Sequence, residues 1–258
     1  RPKTSIHNTH YTLGKAMNDA GYTTGWFGKQ HIDRSMNPSD FGFDYYVIAK
    51  YWEGYDGPDQ GRGSSQNRIG MYGAEWYWHP ALLANGKGIP TTQDDFGPEI
   101  ELDSLLSFIE KNSEKPFFAY WPTNLPHHEF NPEKQTWVRP DVPEYDDSGK
   151  RTGRRIEGSM KSNLEYMDFA IGRIIEKLKA TGEMDNTIIF LSSDNGTAGY
   201  GKGKLESEIA IHVPLVVYGP GYVKPEGMSD VLVDFTDLLP TFIDLAKYKT
   251  SHTKTMDG

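Results

Sequence analysis

Amphipathic helical patterns alternate with short apolar runs along most of this sequence. Apolar residues spaced by three and four predict helices, and the runs of β-formers between them predict strands. The predicted helices cover 11–20, 99–111, 159–180 and 235–247, and the predicted strands cover 22–28, 116–121, 186–191, 213–218 and 229–233. Alternating elements with right-handed crossovers favour a mostly parallel central sheet flanked by helices on both faces. The sequence therefore predicts an α/β fold, and we expect one domain over 1–258.

Two of these elements carry the clearest patterns. The helix over 159–180 has an apolar stripe at spacings of three, four and seven, formed by Leu164, Met167, Ile171, Ile174, Ile175 and Leu178. The runs at 186–191 and 213–218 are continuously apolar, which is typical of parallel strands covered on both faces. We therefore expect both strands to be buried.

The stretch from about 45 to 98 shows neither period and indicates a long insertion rich in glycine and aromatic residues. Its rings stand beside polar residues, an arrangement that suits stacking on sugar rings. Alternatively, Trp52, Trp76 and Trp78 pack the insertion onto the body of the domain. A second polar, proline-rich stretch covers 131–153, and the basic residues Lys150 to Arg155 at its end favour a solvated loop.

Charge and composition exclude several classes of protein. The 36% hydrophobic and 24% charged residues are typical of a globular chain rather than a disordered, collagen-like or coiled-coil one. The formal net charge of −9 repels a phosphate backbone, so no nucleic-acid partner is expected. The chain has no cysteine, which excludes disulfides, thiolate metal sites and cysteine nucleophiles from it. Its apolar runs are all too short to predict a membrane span.

Polar side chains follow the predicted strands, where open α/β sheets bind their ligands. They are Lys29 and His31, His127 and His128, and Asp194 and Asn195, with Lys202 and Lys204 in the next loop. Each of these residues alone is weak evidence for a functional site. An Asp-Asn-Gly segment is most often a turn, lone lysines are usually solvated, and lone histidines usually lie at the surface or have their hydrogen bonds satisfied in the core. If these side chains converge on one edge of the sheet, they would suit the binding of a dianion or an anionic ester.

The Asp194-Asn195 pair also has the donor atoms of a cation site. A carboxylate followed by an amide oxygen is a partial shell for a hard cation such as Ca²⁺ or Mg²⁺. Two ligands are too few for a tight site. Further oxygens would have to come from elsewhere, and a bound ester oxygen is one supplier.

Six segments resemble the sulfatase family, in the family's order and across nearly the whole chain. They are Thr12–His31, whose last four residues are similar to a Gly-Lys-Trp-His signature, then Gly42–Asp44, Pro116–Tyr120 with Pro126-His127, Ser193–Gly196, Lys202-Gly203 with His212–Pro214, and Asp237–Thr241. Each segment alone is weak evidence for the family, but six matches in the family's order are specific to it. The resemblance implies an alkaline-phosphatase-like α/β fold and the hydrolysis of sulfate esters, on a sulfated carbohydrate or an aryl sulfate.

The resemblance also implies a role for each site residue. Lys29 would contact the sulfate group, His31 would support the nucleophile, and His127 would protonate the leaving oxygen or bind sulfate. Asp194 and Asn195 would bind Ca²⁺, with Mg²⁺ as the alternative. A lysine in the loop beyond, Lys202 or Lys204, would be a second cationic clamp on sulfate, and we favour Lys202. Fixed cations and a metal stabilise charge that develops on ester oxygens.

Three features depart from the family pattern. Gln30 stands where tryptophan is usual, and neither Lys202 nor Lys204 has the usual spacing to Pro214. The family's paired aspartates and its Cys/Ser-x-Pro-x-Arg segment, whose cysteine or serine becomes formylglycine, are absent. The resemblance implies that they precede the helix near Tyr11. We therefore expect a partial catalytic domain, incomplete at both ends, with formylglycine in the missing N-terminal segment and no activity in the 258-residue chain alone.

Two other functions remain open. One is a phosphoesterase or phosphodiesterase of the same superfamily, with a Ser or Thr nucleophile and usually two metals, although the lysine pair suits a sulfate pocket with one metal better. The other is a sulfatase-like binding protein without catalysis. An intact Cys/Ser-x-Pro-x-Arg segment upstream would favour the enzyme. The resemblance also implies a periplasmic, secreted or lysosomal location and a sulfated small molecule or carbohydrate as partner.

Overall fold

The fold is that of a computed structural model, in which residues 10–32, 36–57, 76–131, 134, 136–196 and 207–252 are described. In chain order its elements are α1 (Leu13–Asp19), β1 (Thr23–Gly28), β2 (Tyr45–Ala49), β3 (Leu82–Ala84), β4 (Lys87–Ile89), α2 (Gly97–Asn112), β5 (Phe117–Tyr120), β6 (Glu129–Asn131), β7 (Thr136–Val138), β8 (Val142–Tyr145), β9 (Arg151–Ile156), α3 (Met160–Ala180), β10 (Ile189–Ser192), α4 (Glu208–Ile211), β11 (Leu215–Tyr218) and α5 (Leu238–Leu245).

The chain divides into two compact units, whereas the sequence predicted one domain. The first unit comprises Arg1–Ile174 and Val233–Gly258, and the second comprises Ile175–Leu232. Among the described helices, none combines the length and the apolar character that crossing a membrane requires.

The first unit is built around a five-stranded sheet of order β4-β3-β2-β1-β5. β1 lies parallel to β2 and β5, while β3 pairs antiparallel with β2 and β4 pairs antiparallel with β3. The predicted α/β fold is confirmed, but the sheet is mixed rather than mostly parallel. The antiparallel part depends on Asn85 and Gly86, which take φ angles of 45° and 81° between β3 and β4. Asn-Gly is a strong hairpin signal, which the sequence analysis overlooked.

Much of the predicted insertion over 45–98 is therefore part of the sheet. Tyr46, Val47 and Ile48 of β2 are buried beside the central strand β1. The sequence analysis did not identify β2, because it is a single short apolar run between glycine-containing turns and is too short to show a period. The middle of the insertion, 58–75, lies outside the described residues.

Helices cover both faces of this sheet, as predicted. Successive side chains of a strand point to opposite faces. Phe27 contacts Phe108 of α2 at 5.4 Å between ring centroids, whereas its neighbour Trp26 contacts Phe43 at 5.1 Å. Gly14 of α1 lies against Phe43, and α5 packs beside α1. α2 thus covers one face, and α1 with α5 covers the other.

The carboxylate of Asp44 ties α1, β1 and β2 together. Its Oδ2 atom accepts hydrogen bonds from the Thr24 backbone N–H at 2.9 Å and from the Thr24 hydroxyl at 3.0 Å. Its Oδ1 atom accepts from Asn18 Nδ2 at 2.8 Å. The family-like segment Gly42–Asp44 therefore orients the strands that lead to the site.

α2 and the first part of α3 share a second core. The predicted buried face of α2 is confirmed by the low exposure of Leu102, Leu105, Leu106 and Ile109. The predicted helix α3 is confirmed. The predicted burial of one residue in its apolar stripe is wrong, since Leu164 is 49% exposed. Tyr166 is buried instead and contacts Phe96 at 5.3 Å. Tyr166, which the predicted stripe did not include, thus contributes to the core.

Two antiparallel hairpins lie in and around the polar, proline-rich stretch over 131–153. One pairs β6 with β7, and the other pairs β8 with β9. The predicted solvated loop at Lys150–Arg155 is wrong from Arg151 onwards, because this stretch is strand β9. Arg151 Nη1 lies 3.1 Å from Glu99 Oε2 of α2, which holds this hairpin against the helix.

The second unit contains an antiparallel pair, β10 with β11. The prediction of buried parallel strands was wrong, since Leu191 is 39% exposed and Val216 is 52% exposed. A continuous apolar run indicates a strand but does not specify its partner, and the described residues of this unit supply one partner only. The segment 229–233, predicted as a strand, forms no ladder with any described residue and Leu232 is 97% exposed.

Candidate functional site

The carboxyl ends of β1 and β5 meet at one edge of the sheet because the two strands run parallel. The backbone N–H of Lys29, directly after β1, donates to the carbonyl oxygen of Pro122, just after β5, at 2.7 Å. The Trp26 indole N–H donates to the Lys29 carbonyl at 3.1 Å. Two hydrogen bonds therefore hold the backbone of Lys29 where the two strands end.

Lys29 and His127 meet at the indole of Trp76. The Lys29 ammonium nitrogen lies 5.5 Å from the centroid of the Trp76 ring, within cation–π range. The His127 ring approaches the same indole edge-on, with 5.1 Å between centroids. Trp76 is itself buried at 7% exposure. The structure thus brings together two of the residues that the sequence placed at one rim.

The segment that carries His127 is tied down by Tyr77. The Tyr77 hydroxyl lies 2.7 Å from the His127 carbonyl oxygen and 3.0 Å from that of Asn124. The Nδ1 atom of His127 lies 2.6 Å from the His128 carbonyl oxygen. A carbonyl oxygen only accepts, so Nδ1 carries a proton and Nε2 is the nitrogen whose protonation changes. This arrangement suits a general acid.

A buried carboxyl group lies beneath the end of β1, and the sequence analysis missed it. Glu101 of α2 has 0% exposure, and neither of its carboxyl oxygens has a hydrogen-bond partner among the described residues. Burial raises the pKa of Glu101 well above its ordinary value, because desolvation disfavours the charged carboxylate. A Cβ atom at Gly28 would lie 3.4 Å from its Oε2 atom. The available signal was the spacing of four from Leu105, a buried position of the same helix.

Two further predicted residues of the first unit differ in exposure. His31 is exposed just beyond Lys29, and His128 is partly buried beside His127. Burial lowers the pKa of His128, and the nearby Arg139 guanidinium adds to this effect. A supporting role for His31 stays a prediction.

Asp194 and Asn195 belong to the second unit and follow β10, as predicted. Asp194 is exposed, and Asn195 Nδ2 donates to the Gly196 carbonyl at 2.9 Å. The Asp194 carboxylate and the Asn195 amide oxygen suit a hard cation such as Ca²⁺. Within the described ranges no group of three or more His, Cys, Asp or Glu side chains could hold a metal, so calcium binding by Asp194 and Asn195 stays a prediction. Lys202 and Lys204 lie outside the described residues.

The described tryptophans of the predicted insertion pack onto the first unit. Trp76 is buried, Trp52 covers Gly88 of β4, and the Trp78 ring contacts Phe96 at 5.0 Å. The packing interpretation holds for these three rings. Trp76 in particular is too buried to stack on a sugar.

The chain is similar to a family of known proteins over most of its length. The family model described as Sulfatase matches residues 2–248 of this chain. The chain is 28% identical over 259 residues to N-acetylglucosamine-6-sulfatase from Homo sapiens, covering 84% of this chain and 46% of the relative. It is 27% identical over 285 residues to an arylsulfatase from Hemicentrotus pulcherrimus, covering 99% of this chain and 46% of the relative. The matched part is thus just under half of each relative's length.

Solved structures show the same fold. The crystal structure of Ps i-CgsB in complex with k-i-k-neocarrahexaose has a TM-score of 0.68 and 24% identity, covering 100% of this chain and 58% of that one. A protein in complex with its substrate D-glucosamine-2-N,6-O-disulfate has a TM-score of 0.64 and 19% identity, covering 96% of this chain and 63% of that one. At these identities the likeness shows the fold alone, and it is the α/β fold that the sequence predicted.

Proposed function

Because this chain belongs to the sulfatase family, we propose that it supplies part of the active site of an enzyme that hydrolyses sulfate esters. The observation that carries the proposal is the meeting of Lys29 and His127 at Trp76, beside the carboxyl ends of β1 and β5. A fixed cation and a proton-transferring imidazole within one small region are what cleavage of an anionic ester requires.

In this proposal Lys29 binds a terminal oxygen of the sulfate group. Its ammonium neutralises charge there, while the indole of Trp76 limits where it can lie. His127 donates a proton from Nε2 to the bridging oxygen as the bond between sulfur and that oxygen breaks. His31 supports the nucleophile, and Lys202 or Lys204 provides a second positive charge on sulfate.

In this proposal the metal ion and the nucleophile are not supplied by side chains of this sequence. Calcium, or Mg²⁺ in its place, would be held in part by Asp194 and Asn195 and would supply Lewis-acid stabilisation of the charged sulfate oxygens. The nucleophile would be a formylglycine outside these 258 residues, which contain neither a cysteine nor a Ser-x-Pro-x-Arg segment.

We favour a sulfated carbohydrate as substrate over a small aryl sulfate. N-acetylglucosamine-6-sulfatase of Homo sapiens is among the relatives, and one structural neighbour holds D-glucosamine-2-N,6-O-disulfate as its substrate. An arylsulfatase is also among the relatives, so aryl sulfates serve as convenient test substrates. A periplasmic, secreted or lysosomal location is part of the same proposal.

The test compares three forms of the full-length protein that contains this sequence. Wild type, Lys29→Ala and Lys87→Ala are assayed with p-nitrophenyl sulfate, p-nitrophenyl phosphate and a 6-sulfated N-acetylglucosamine. Lys87 is an exposed lysine of the same unit and serves as the matched control. We expect sulfate-ester turnover that Lys29→Ala lowers by about 10²- to 10³-fold, the loss typical of one charge-stabilising group. Faster turnover of the phosphate ester, or unchanged activity in Lys29→Ala, would contradict the proposal.

A further inference from the structure

A cavity of about 370 Å³ opens in the first unit close to the segment that carries His127. Its wall is formed by residues from β6 to β9 and from the predicted insertion. Three cationic side chains line it, namely Lys134, Arg139 and Arg155. None of the described residues that we assign to the sulfate-ester site lines this cavity, so its polar wall needs another explanation.

Arg139 is the informative residue of this wall. Partial burial lowers the pKa of its guanidinium, and among the described residues only the Tyr77 hydroxyl acts in the opposite direction. No described carboxylate lies within ion-pairing distance of it. A partly buried guanidinium that no described carboxylate neutralises is costly unless a ligand supplies the negative charge.

The position of Arg139 connects the cavity to the proposed reaction site. Its charge acts on the neighbouring imidazole of His128. Tyr77, which Arg139 also approaches, holds the His127 carbonyl oxygen at 2.7 Å. A group bound in the cavity would therefore lie near the segment that carries His127 and His128, and Glu129 of that segment lines the cavity.

The remaining wall suits a polar ligand rather than an apolar one. The Arg155 guanidinium lies 3.5 Å from the centroid of the Trp78 ring, and Phe96 packs at 5.0 Å from the same ring. Trp78 therefore offers little open ring face for stacking. Three carboxylates, those of Glu129, Asp141 and Glu157, also line the wall, away from the Arg139 guanidinium. Asp141 Oδ1 already accepts from the Gly158 backbone N–H at 2.8 Å. Carboxylates in such a wall can accept hydrogen bonds from sugar hydroxyls.

We propose that this cavity binds a second anionic group of the substrate, a sulfate or a carboxylate on a neighbouring sugar, with Arg139 as its principal contact. The inference rests on the proposed function, and it narrows the substrate class from sulfated carbohydrates to those with more than one negative charge. Recognition through a bidentate guanidinium suits both sulfate and carboxylate oxygens.

The test uses the full-length protein and three substrates. They are a monosulfated monosaccharide, a disaccharide with a second sulfate on the neighbouring sugar, and a disaccharide with a uronate there. The variants are Arg139→Gln and Arg139→Lys, with Arg154→Gln as matched control. Arg154 lies in β9 of the same unit, but it pairs at the surface with Glu144 at 2.6 Å and does not line the cavity.

We expect Arg139→Gln to raise KM for one or both doubly charged substrates by roughly tenfold or more, the effect of losing a hydrogen bond to a charged group. The kcat values, and the KM for the monosaccharide, should stay at the wild-type level. Arg139→Lys should raise KM for the doubly charged substrates less than Arg139→Gln does. The disaccharide whose KM rises shows whether the cavity binds a sulfate or a carboxylate. An equal rise in KM for all three substrates, or no rise, would overturn the inference.

Failure of the proposed function has a different signature. A wild-type protein that turns over none of the substrates contradicts the sulfatase proposal, and calorimetric titration with the same disaccharides then tests the cavity separately. Tighter binding of a doubly charged disaccharide by wild type than by Arg139→Gln supports the cavity site. Equal affinity, or no binding, overturns it. Thermal unfolding of each variant identifies any loss that comes from misfolding.

Discussion

The Lys29 ammonium nitrogen and the Trp76 ring centroid lie 5.5 Å apart, and the His127 ring meets the same indole at 5.1 Å. Lys29 follows β1, and His127 follows β5, nearly a hundred residues later in the chain. Trp76 comes from a third segment and is almost fully buried. One core aromatic side chain thereby sets the relative position of a cation and an imidazole that the chain supplies from distant segments.

Replacing Trp76 by phenylalanine should impair catalysis more than folding. We expect kcat for a sulfate ester to fall about tenfold in the full-length protein, because a weakened cation–π contact costs about 1–2 kcal/mol. Trp52→Phe is the control, since Trp52 packs in another part of the same unit. Steady-state kinetics and urea unfolding of both variants provide the measurement. Equal losses of activity in the two would show that Trp76 has no special link to Lys29.

Gly28 should not tolerate a side chain, whereas Gly21 should tolerate one better. Both glycines have positive φ angles, 122° and 87°. A Cβ atom at Gly28 would lie 2.5 Å from the Pro122 carbonyl oxygen, while nothing lies within 4 Å of one at Gly21. Gly28→Ala should therefore displace the hydrogen bond between Lys29 and Pro122 and raise KM for the sulfate ester.

The Gly21→Ala variant carries the same kind of backbone strain without the clash. Its KM should match that of wild type, although its stability falls. If both variants show the same KM, steric contact with Pro122 does not control the position of Lys29.

Gly196 should be essential for the turn that carries Asp194 and Asn195. A Cβ atom there would lie 1.7 Å from the Ile209 carbonyl oxygen, and the Gly196 N–H donates to the Ala210 carbonyl at 2.9 Å. Gly196→Ala should weaken calcium binding by the full-length protein, measured by titration calorimetry. Gly172→Ala is the opposite case, because nothing lies within 4 Å of that position in α3. It should leave calcium affinity unchanged and stabilise the helix by up to about 1 kcal/mol.

Glu101 should make stability fall as the pH rises. Its pKa is raised in the folded state above the ordinary value of 4.5, so the folded protein keeps a proton that the unfolded chain has lost. The contribution of the neutral carboxyl is complete below pH 4.5 and decreases as pH rises towards the folded pKa, by about 1.4 kcal/mol per pH unit. Glu101→Gln removes this dependence and keeps the shape of the side chain.

Urea unfolding of wild type and Glu101→Gln at several pH values measures the effect. The free energy of unfolding of the variant should exceed that of wild type by a margin that grows from pH 5 to pH 8, an interval above the ordinary value of the carboxyl. A constant margin would show that Glu101 does not keep its proton in the folded protein.

The local pattern of the chain was sufficient for most elements of the fold. Spacings of three and four identified α2 and α3, and β-formers identified β1 and β5, because these patterns reflect burial along single elements. Local pattern also explains the errors. The Asn85-Gly86 turn and the short strand β2 have little periodicity, and the apolar runs of β10 and β11 carry no information about which strand each pairs with.

The sequence by itself determined the α/β fold and the sulfatase resemblance, and it predicted Lys29, His127, Asp194 and Asn195 as site residues. Only the tertiary structure decided that Trp76 contacts both Lys29 and His127, that Glu101 is buried with no hydrogen-bond partner among the described residues, and that Arg139 faces a cavity. The physical reason is that side-chain identity and spacing are local properties. Burial, shared contacts and unpaired charge arise between segments that the chain brings together only when it folds.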